Sequence, residues 1–330
     1  MKNILVIRLS SIGDIILTTP VLRELATAFP GFEIDYCTKA PFTVLLSGNP
    51  HINKVFSVDD PPSGSYDLVV DLQNNIRSKR IIRHIQAGEV RKYRKQNWKK
   101  LLLVKTRIDI TGSYRSVVDR YREELIALGV KPDEHGCELF PSNADRTFAS
   151  AAAGSGLPVL ALCFGAMHAS KRYPPEKLAG VLSLLFNSMD FKAILLGGKD
   201  DVPHALAIMK ALPETYRKNV VDLSGQCSLL QSAAFLERAD AVLSNDTGLM
   251  HMASCFGKKI FVIFGSSVKA FGFLPYHVPF ELFENEGLDC RPCSHYGRDR
   301  CPEGHFSCMN DIREEDIAEK ILDYFKTQRS

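Results

Sequence analysis

The stretch Ile4-Leu5-Val6-Ile7-Arg8-Leu9-Ser10-Ser11-Ile12-Gly13-Asp14 begins as an unbroken apolar run and turns abruptly polar. A run without alternation suits a strand buried on both faces, as in a parallel sheet covered by helices. The polar residues after it then stand at the carboxyl end of that strand, the edge where open α/β sheets hold ligands. Downstream, Thr18-Thr19 can cap a helix with Pro20 in its first turn and Val21, Leu22, Leu25 and Phe29 on one face. Apolar runs at 33–37, 54–58 and 66–72 alternate with helical segments, the pattern of βαβ units. The second half repeats it, with strands expected at 159–164, 193–196, 241–243 and 259–264. Helices are expected over 175–188, over 229–239 and from Asn245 to about Cys255. The closing segment 314–327 reads as an amphipathic helix with Ile317, Ile321, Leu322 and Phe325 on one face.

At 330 residues and 36.8 kDa the chain is too long for one compact core. The Ser-, Ala-, Gly- and Pro-rich stretch 141–158 divides it into an expected 1–155 and 156–330. With 45% apolar and 24% charged residues, wholesale disorder and fibrous classes are excluded. No apolar run reaches the roughly 18 residues of a membrane span. Arg8, Ser10, Ser11 and Asp14 interrupt the only candidate leader, so a cytoplasmic chain is expected. Residues 1–150 hold 22 Lys/Arg against 17 Asp/Glu, whereas 151–330 hold 19 against 21. From Arg77 to Arg107 there are 12 basic residues and one acid, Glu89. Such a run attracts nucleic acid, an anionic membrane surface or a phosphorylated substrate, or is simply a solvated face.

Four loops at expected strand ends carry the candidate chemistry. Ser10-Ser11-Ile12-Gly13-Asp14 has neither the glycines of a dinucleotide fingerprint nor the Gly-Lys-Ser/Thr of a P-loop. Asp14 there is either a helix cap or a general base. In Ser244-Asn245-Asp246-Thr247-Gly248-Leu249-Met250-His251, a strand gives way to a helix whose first amides can meet an anion; a plain capped helix is the other reading. In the loop 164–174, Lys171 and Arg172 can neutralise a leaving diphosphate or form an ordinary basic surface. Gly197-Gly198-Lys199-Asp200 can approach a ribose. Of nine cysteines, Cys290, Cys293, Cys301 and Cys308 crowd together, which suits either a structural tetrahedral zinc or reduced free thiols.

These motifs resemble glycosyltransferase family 9, the bacterial heptosyltransferases of the lipopolysaccharide inner core, over almost the whole chain. The resemblance rests on Arg8-Leu9-Ser10-Ser11-Ile12-Gly13-Asp14, on Asp71-Leu72-Gln73, on Asp246-Thr247-Gly248-Leu249-Met250-His251 and on the Cys-rich segment. It implies an α/β chain of the GT-B fold: two Rossmann-like domains facing across a cleft, the acceptor on the first and the nucleotide-sugar on the second. The C-terminal helix is then expected to pack back on the N-terminal domain.

The resemblance further implies an inverting, metal-independent transfer of heptose from ADP-heptose, with Asp14 as the base and Lys171 on the donor phosphates. Ser10, Ser11, Gly13, Asp246, Thr247, Gly248 and His251 match donor-site positions. Asp200 takes the place of an acidic ribose ligand, and Tyr173 that of an aromatic often found two positions after the lysine. Cys227 falls near the expected adenine contact. The absence of any Asp-x-Asp fits metal independence. Arg77, Lys79 and Arg80, with Trp98 beyond them, become candidates for an anionic core acceptor or the inner-membrane surface. A family 9 enzyme with another nucleotide-sugar or anionic glycan is the alternative. A nucleic-acid-binding α/β protein is disfavoured by the mild pI of about 8.3 and the lack of a recognised motif. A nicotinamide oxidoreductase is disfavoured by the missing G-x-G-x-x-G.

Overall fold

The computed structural model describes residues 2–110, 112, 114–154 and 156–328. Among these residues, eleven strands form two wholly parallel sheets. The first contains β1 (Lys2–Ile7), β2 (Phe32–Thr38), β3 (Lys54–Ser57), β4 (Ser65–Asp71) and β5 (Gln86–Lys92), in the order β3-β2-β1-β4-β5. The second contains β6 (Val159–Cys163), β7 (Lys192–Leu195), β8 (Val220–Asp222), β9 (Ala241–Asn245), β10 (Lys259–Phe264) and β11 (Phe280–Glu284), in the order β11-β10-β9-β6-β7-β8. In each sheet the chain starts in the middle, runs to one edge and returns to the other side. The strand order therefore reverses between β1 and β4 and between β6 and β9, and a crevice opens at the carboxyl ends there.

The helices of the first half are α1 (Ile12–Ile16), α2 (Thr19–Ala28), α3 (Ile76–Arg83), α4 (Asn97–Thr106), α5 (Val117–Arg122) and α6 (Asn143–Ala153). Those of the second are α7 (Pro175–Phe186), α8 (Val202–Ala211), α9 (Glu214–Arg217), α10 (Leu229–Arg238), α11 (Gly248–Ser254), α12 (Ser307–Asn310) and α13 (Glu314–Thr327). Strand β1 forms because Ile4, Leu5, Val6 and Ile7 are all fully buried, between helices on both sides.

Two placements differ from the expectations. Among the described residues the C-terminal helix, α13, packs on α7 and not on the first half: Ile317, Ile321 and Phe325 join the apolar layer behind β6 and β10. Its apolar stripe fits the sheet nearest in sequence, and Lys177 Nζ fixes the approach with a 2.7 Å bond to Glu314. Helix α6, before the expected division at 155/156, packs on α10 of the second half. Ser155 itself lies outside the described residues. Among the described residues, no helix is long and apolar enough to cross a membrane.

Candidate active site

The two halves meet where two loops touch. Helix α1 follows β1, α11 follows β9, and the two pack against each other. The contact is close because glycines occupy it. A Cβ on Gly13 would stand 2.4 Å from Cδ2 of His251, and one on Gly248 would stand 2.8 Å from Cβ of Ile12. Helix α5 adds a second tie: Val117 N donates to Gly272 O at 3.0 Å, and Arg120 donates to the carbonyls of Ala270 and Phe271, both at 3.2 Å. Beside these contacts lies a cavity of about 630 Å³.

Asp14 lines the cavity from the front half. Its Oδ2 accepts from Ser11 N and Ser11 Oγ, both at 3.0 Å, and its Oδ1 lies 2.6 Å from Nη2 of Arg8. The residue thus closes the first turn of α1, as a cap does, while its side chain also lines the cleft. Burial alone raises its pKa; the Arg8 guanidinium and the Ser11 amide outweigh that and hold the carboxyl below its usual range. Arg8 is itself fixed by Leu72 O at 2.7 Å and lies over the ring of Tyr121. Of the Asp14 oxygens, Oδ1 carries the single bond from Arg8 and so keeps a lone pair for a further donor.

The back half supplies Lys171, Asp246, Thr247, Gly248 and His251 to the same cavity. Lys171 Nζ lies 2.6 Å from Oδ2 of Asp246, which also accepts from Ser267 Oγ. Burial raises Asp246, and Lys171 and Ser267 more than reverse it. His251 is nearly fully buried, and burial pushes it down to about 4, so the ring is neutral near pH 7. Two buried polar atoms of the cavity wall, His251 Nδ1 and Tyr121 Oη, have no protein partner among the described residues. Such atoms are costly unless a ligand or water meets them.

A match to Glycosyltransferase family 9 (heptosyltransferase) runs over residues 63–301. The chain belongs to glycosyltransferase family 9. It is 24% identical over 293 residues to lipooligosaccharide heptosyltransferase 2 of Haemophilus influenzae, covering 80% of this chain and 83% of that protein. The glycosyl transferase family 9 structure from Veillonella parvula superposes with a TM-score of 0.76 at 21% identity, over 96% of this chain and 95% of that one. The Escherichia coli ADP-heptose lps heptosyltransferase II gives 0.75 at 19% identity over the whole of both chains. The fold is accordingly GT-B, and the chain is a glycosyltransferase.

In this family 9 transferase the cavity gathers Ser10, Ser11, Gly13, Asp14, Lys171, Asp246, Thr247, Gly248 and His251 in one place. Other candidates stand elsewhere. Asp200 is exposed and does not line the cavity; its neighbour Asp201 is the ordered acid, accepting from Gly198 N at 2.9 Å and pairing with Arg172 at 3.3 Å. Arg172, held by Asp201, does not line the cavity. Tyr173 is a core residue whose hydroxyl donates to Ile312 O at 2.8 Å, and Cys227 is half-buried outside the cavity. Arg77, Lys79 and Arg80 lie exposed on α3 and do not reach the cavity wall.

Of the basic run 77–107, the residues that do line it are Lys95 and Lys100. Neither makes an ion pair or a side-chain hydrogen bond with the described residues; Lys100 lies over the rings of Phe271 and Phe273. Burial, reinforced by Arg120, lowers Lys100 to about 8, and burial with Arg8 lowers Lys95. Both sit inside the run 77–107, which marked the region without showing which of its cations turn inward. His295 and Tyr296, from the Cys-rich segment, were also missed. That segment is pinned by Arg291, which donates to Gly265 O and Ser267 O, both at 2.6 Å. Cys290, Cys293, Cys301 and Cys308 line one small pocket with His305, but among the described residues no three such side chains are placed to hold a metal ion.

Proposed function

We propose that this chain transfers heptose from ADP-heptose to the anionic inner core of lipopolysaccharide by a single inverting displacement. The observation that carries this reading is the meeting of Asp14 with the Lys171–Thr247–Gly248 wall in one cavity. The donor diphosphate would lie against Lys171 and the backbone of Thr247 and Gly248. Its growing charge as it leaves would be balanced by Lys171, already oriented by Asp246. The acceptor hydroxyl would give its proton to Asp14 Oδ1 as its oxygen bonds the anomeric carbon and the bond to the diphosphate breaks. Arg8 keeps Asp14 ionised, hence ready at neutral pH. A low pKa makes a modest base, but the hydroxyl becomes acidic only as the new bond forms, so the carboxylate is required late.

Lys95 and Lys100 would hold a carboxylate or phosphate of the acceptor. Asp14 is paired with Arg8 and Asp246 with Lys171, so among the described residues these two lysines are the cations of the wall without an ion pair. They replace Arg77, Lys79 and Arg80 as the acceptor contacts. The relatives' names support the donor and the acceptor class. The test is to incubate the purified protein with ADP-heptose and a core acceptor and weigh the product. A gain of one heptose, absent with UDP-glucose, is the expected result. No gain with any ADP-sugar would overturn the reading.

A further inference from the structure

We propose that the outer face of α4 and the residues just after it dock onto a lipid bilayer carrying anionic headgroups. Five of the thirteen large apolar side chains that stay exposed among the described residues fall here: Trp98, Leu101, Ile108, Ile110 and Tyr114. Trp98 is 62% and Ile108 60% exposed. Scattered exposed apolar residues are ordinary, but here five fall within one short stretch, two of them on one face of α4. Spacing explains the exposure. On α4, Asn97 and Lys100 line the cleft and Leu103 is buried, which turns Trp98, Leu101 and Lys105 outward at three- and four-residue steps.

The charge around the patch selects the partner. Lys105 and Arg107 are exposed beside it, Arg94 is exposed but paired with Glu124 at 2.8 Å, and Asp109 is the single acid in the sequence between Lys92 and Ile110. Helix α3 extends the basic surface: β4 and β5 pair with Asp71 opposite Lys92, so α3 and α4 leave adjacent strand ends on the same sheet edge. Its first residue, Ile76, is 85% exposed, followed by exposed Arg77, Lys79 and Arg80. Interleaved Trp, Leu, Ile, Lys and Arg is the composition that settles at a headgroup boundary and is drawn there by anionic lipid. The surface is also held in place, because Arg107 Nε donates to Asp289 O at 2.7 Å in the second half. Docking α4 would set the cleft mouth at the lipid surface, since the inner side of the same helix lines the cavity. This inference does not depend on which sugar or acceptor is used.

Trp98 is the chain's one tryptophan, so it reports on its own face. Vesicles of phosphatidylethanolamine and phosphatidylglycerol should shift its emission to the blue, and acyl-brominated lipids should quench it. Phosphatidylcholine vesicles should do so far less. The double variant Leu101→Ser/Ile108→Ser should partition about tenfold more weakly, while its transfer to a deacylated, soluble acceptor stays at the parent rate. An emission unchanged by any vesicle, or equal partitioning of parent and double variant, would overturn the proposal. So would an emission that shifts with protein concentration in the absence of lipid, which would mean that a second copy covers the face.

Discussion

The two walls of the cleft solve the same electrostatic problem in opposite ways. On the back wall, each charge is matched inside the protein: Lys171 lies on Asp246, Ser267 donates to that carboxylate, and His251 is kept neutral by burial. On the front wall, Arg8 is spent on Asp14, and Lys95 and Lys100 make no ion pair among the described residues. A paired wall is organised before any ligand arrives, which suits a site that must stabilise charge appearing in a transition state. An unpaired wall costs stability in the free protein and recovers it when an anion enters, which suits recognition of a charged substrate.

The largest effect that would break this contrast comes from the base. Asp14→Asn keeps the shape of the side chain and removes its proton affinity, so turnover should fall by about 10²–10⁴ while calorimetry still finds ADP binding. Near-normal turnover would assign the base elsewhere. The burial of His251 in the back wall has a pH signature. His251 titrates near 6.5 when unfolded and at about 4 when folded. Between those values the unfolded chain binds the extra proton. Stability is therefore full above about pH 6.5 and declines toward pH 4, by on the order of 3 kcal/mol from this group. Thermal melts of His251→Asn should lack that share of the decline; an unchanged slope would mean that burial does not hold the ring neutral. The smallest effect belongs to α3. Removing the charges of Arg77, Lys79 and Arg80 together should change the acceptor KM by less than about twofold with a soluble acceptor, because exposed, screened charges outside the cavity contribute little. A large rise would restore them as acceptor contacts.

Much of the fold was legible because buried parallel strands write themselves as unbroken apolar runs. The run at 4–7, the strand at 259–264 and the closing helix at 314–327 all stand where their patterns put them. The helix's partner was not legible, since an apolar stripe says that a face is covered but not by what. The loop ending in Asp14 and the stretch from Asp246 to His251 were readable as cleft lining, because polar residues at the carboxyl end of a buried parallel strand stand where the crevice opens. The lysines were not. Within Arg77–Arg107, only the short helix starting at Asn97 decides that Lys100 turns inward and Lys105 outward, and no cap residue announces that helix. Asp200 and Asp201 show the same limit on a smaller scale. The two are chemically alike, and the one that is ordered is set by the amide of Gly198.

The contrast between the walls is tested most directly by saturation kinetics of Lys171→Met and Lys100→Met against each substrate in turn. Lys171→Met should raise the donor KM or lower kcat at an unchanged acceptor KM. Lys100→Met should raise the acceptor KM by about tenfold or more at an unchanged donor KM. If both substitutions moved the same substrate's constant, the cleft would not be divided between a donor wall and an acceptor wall.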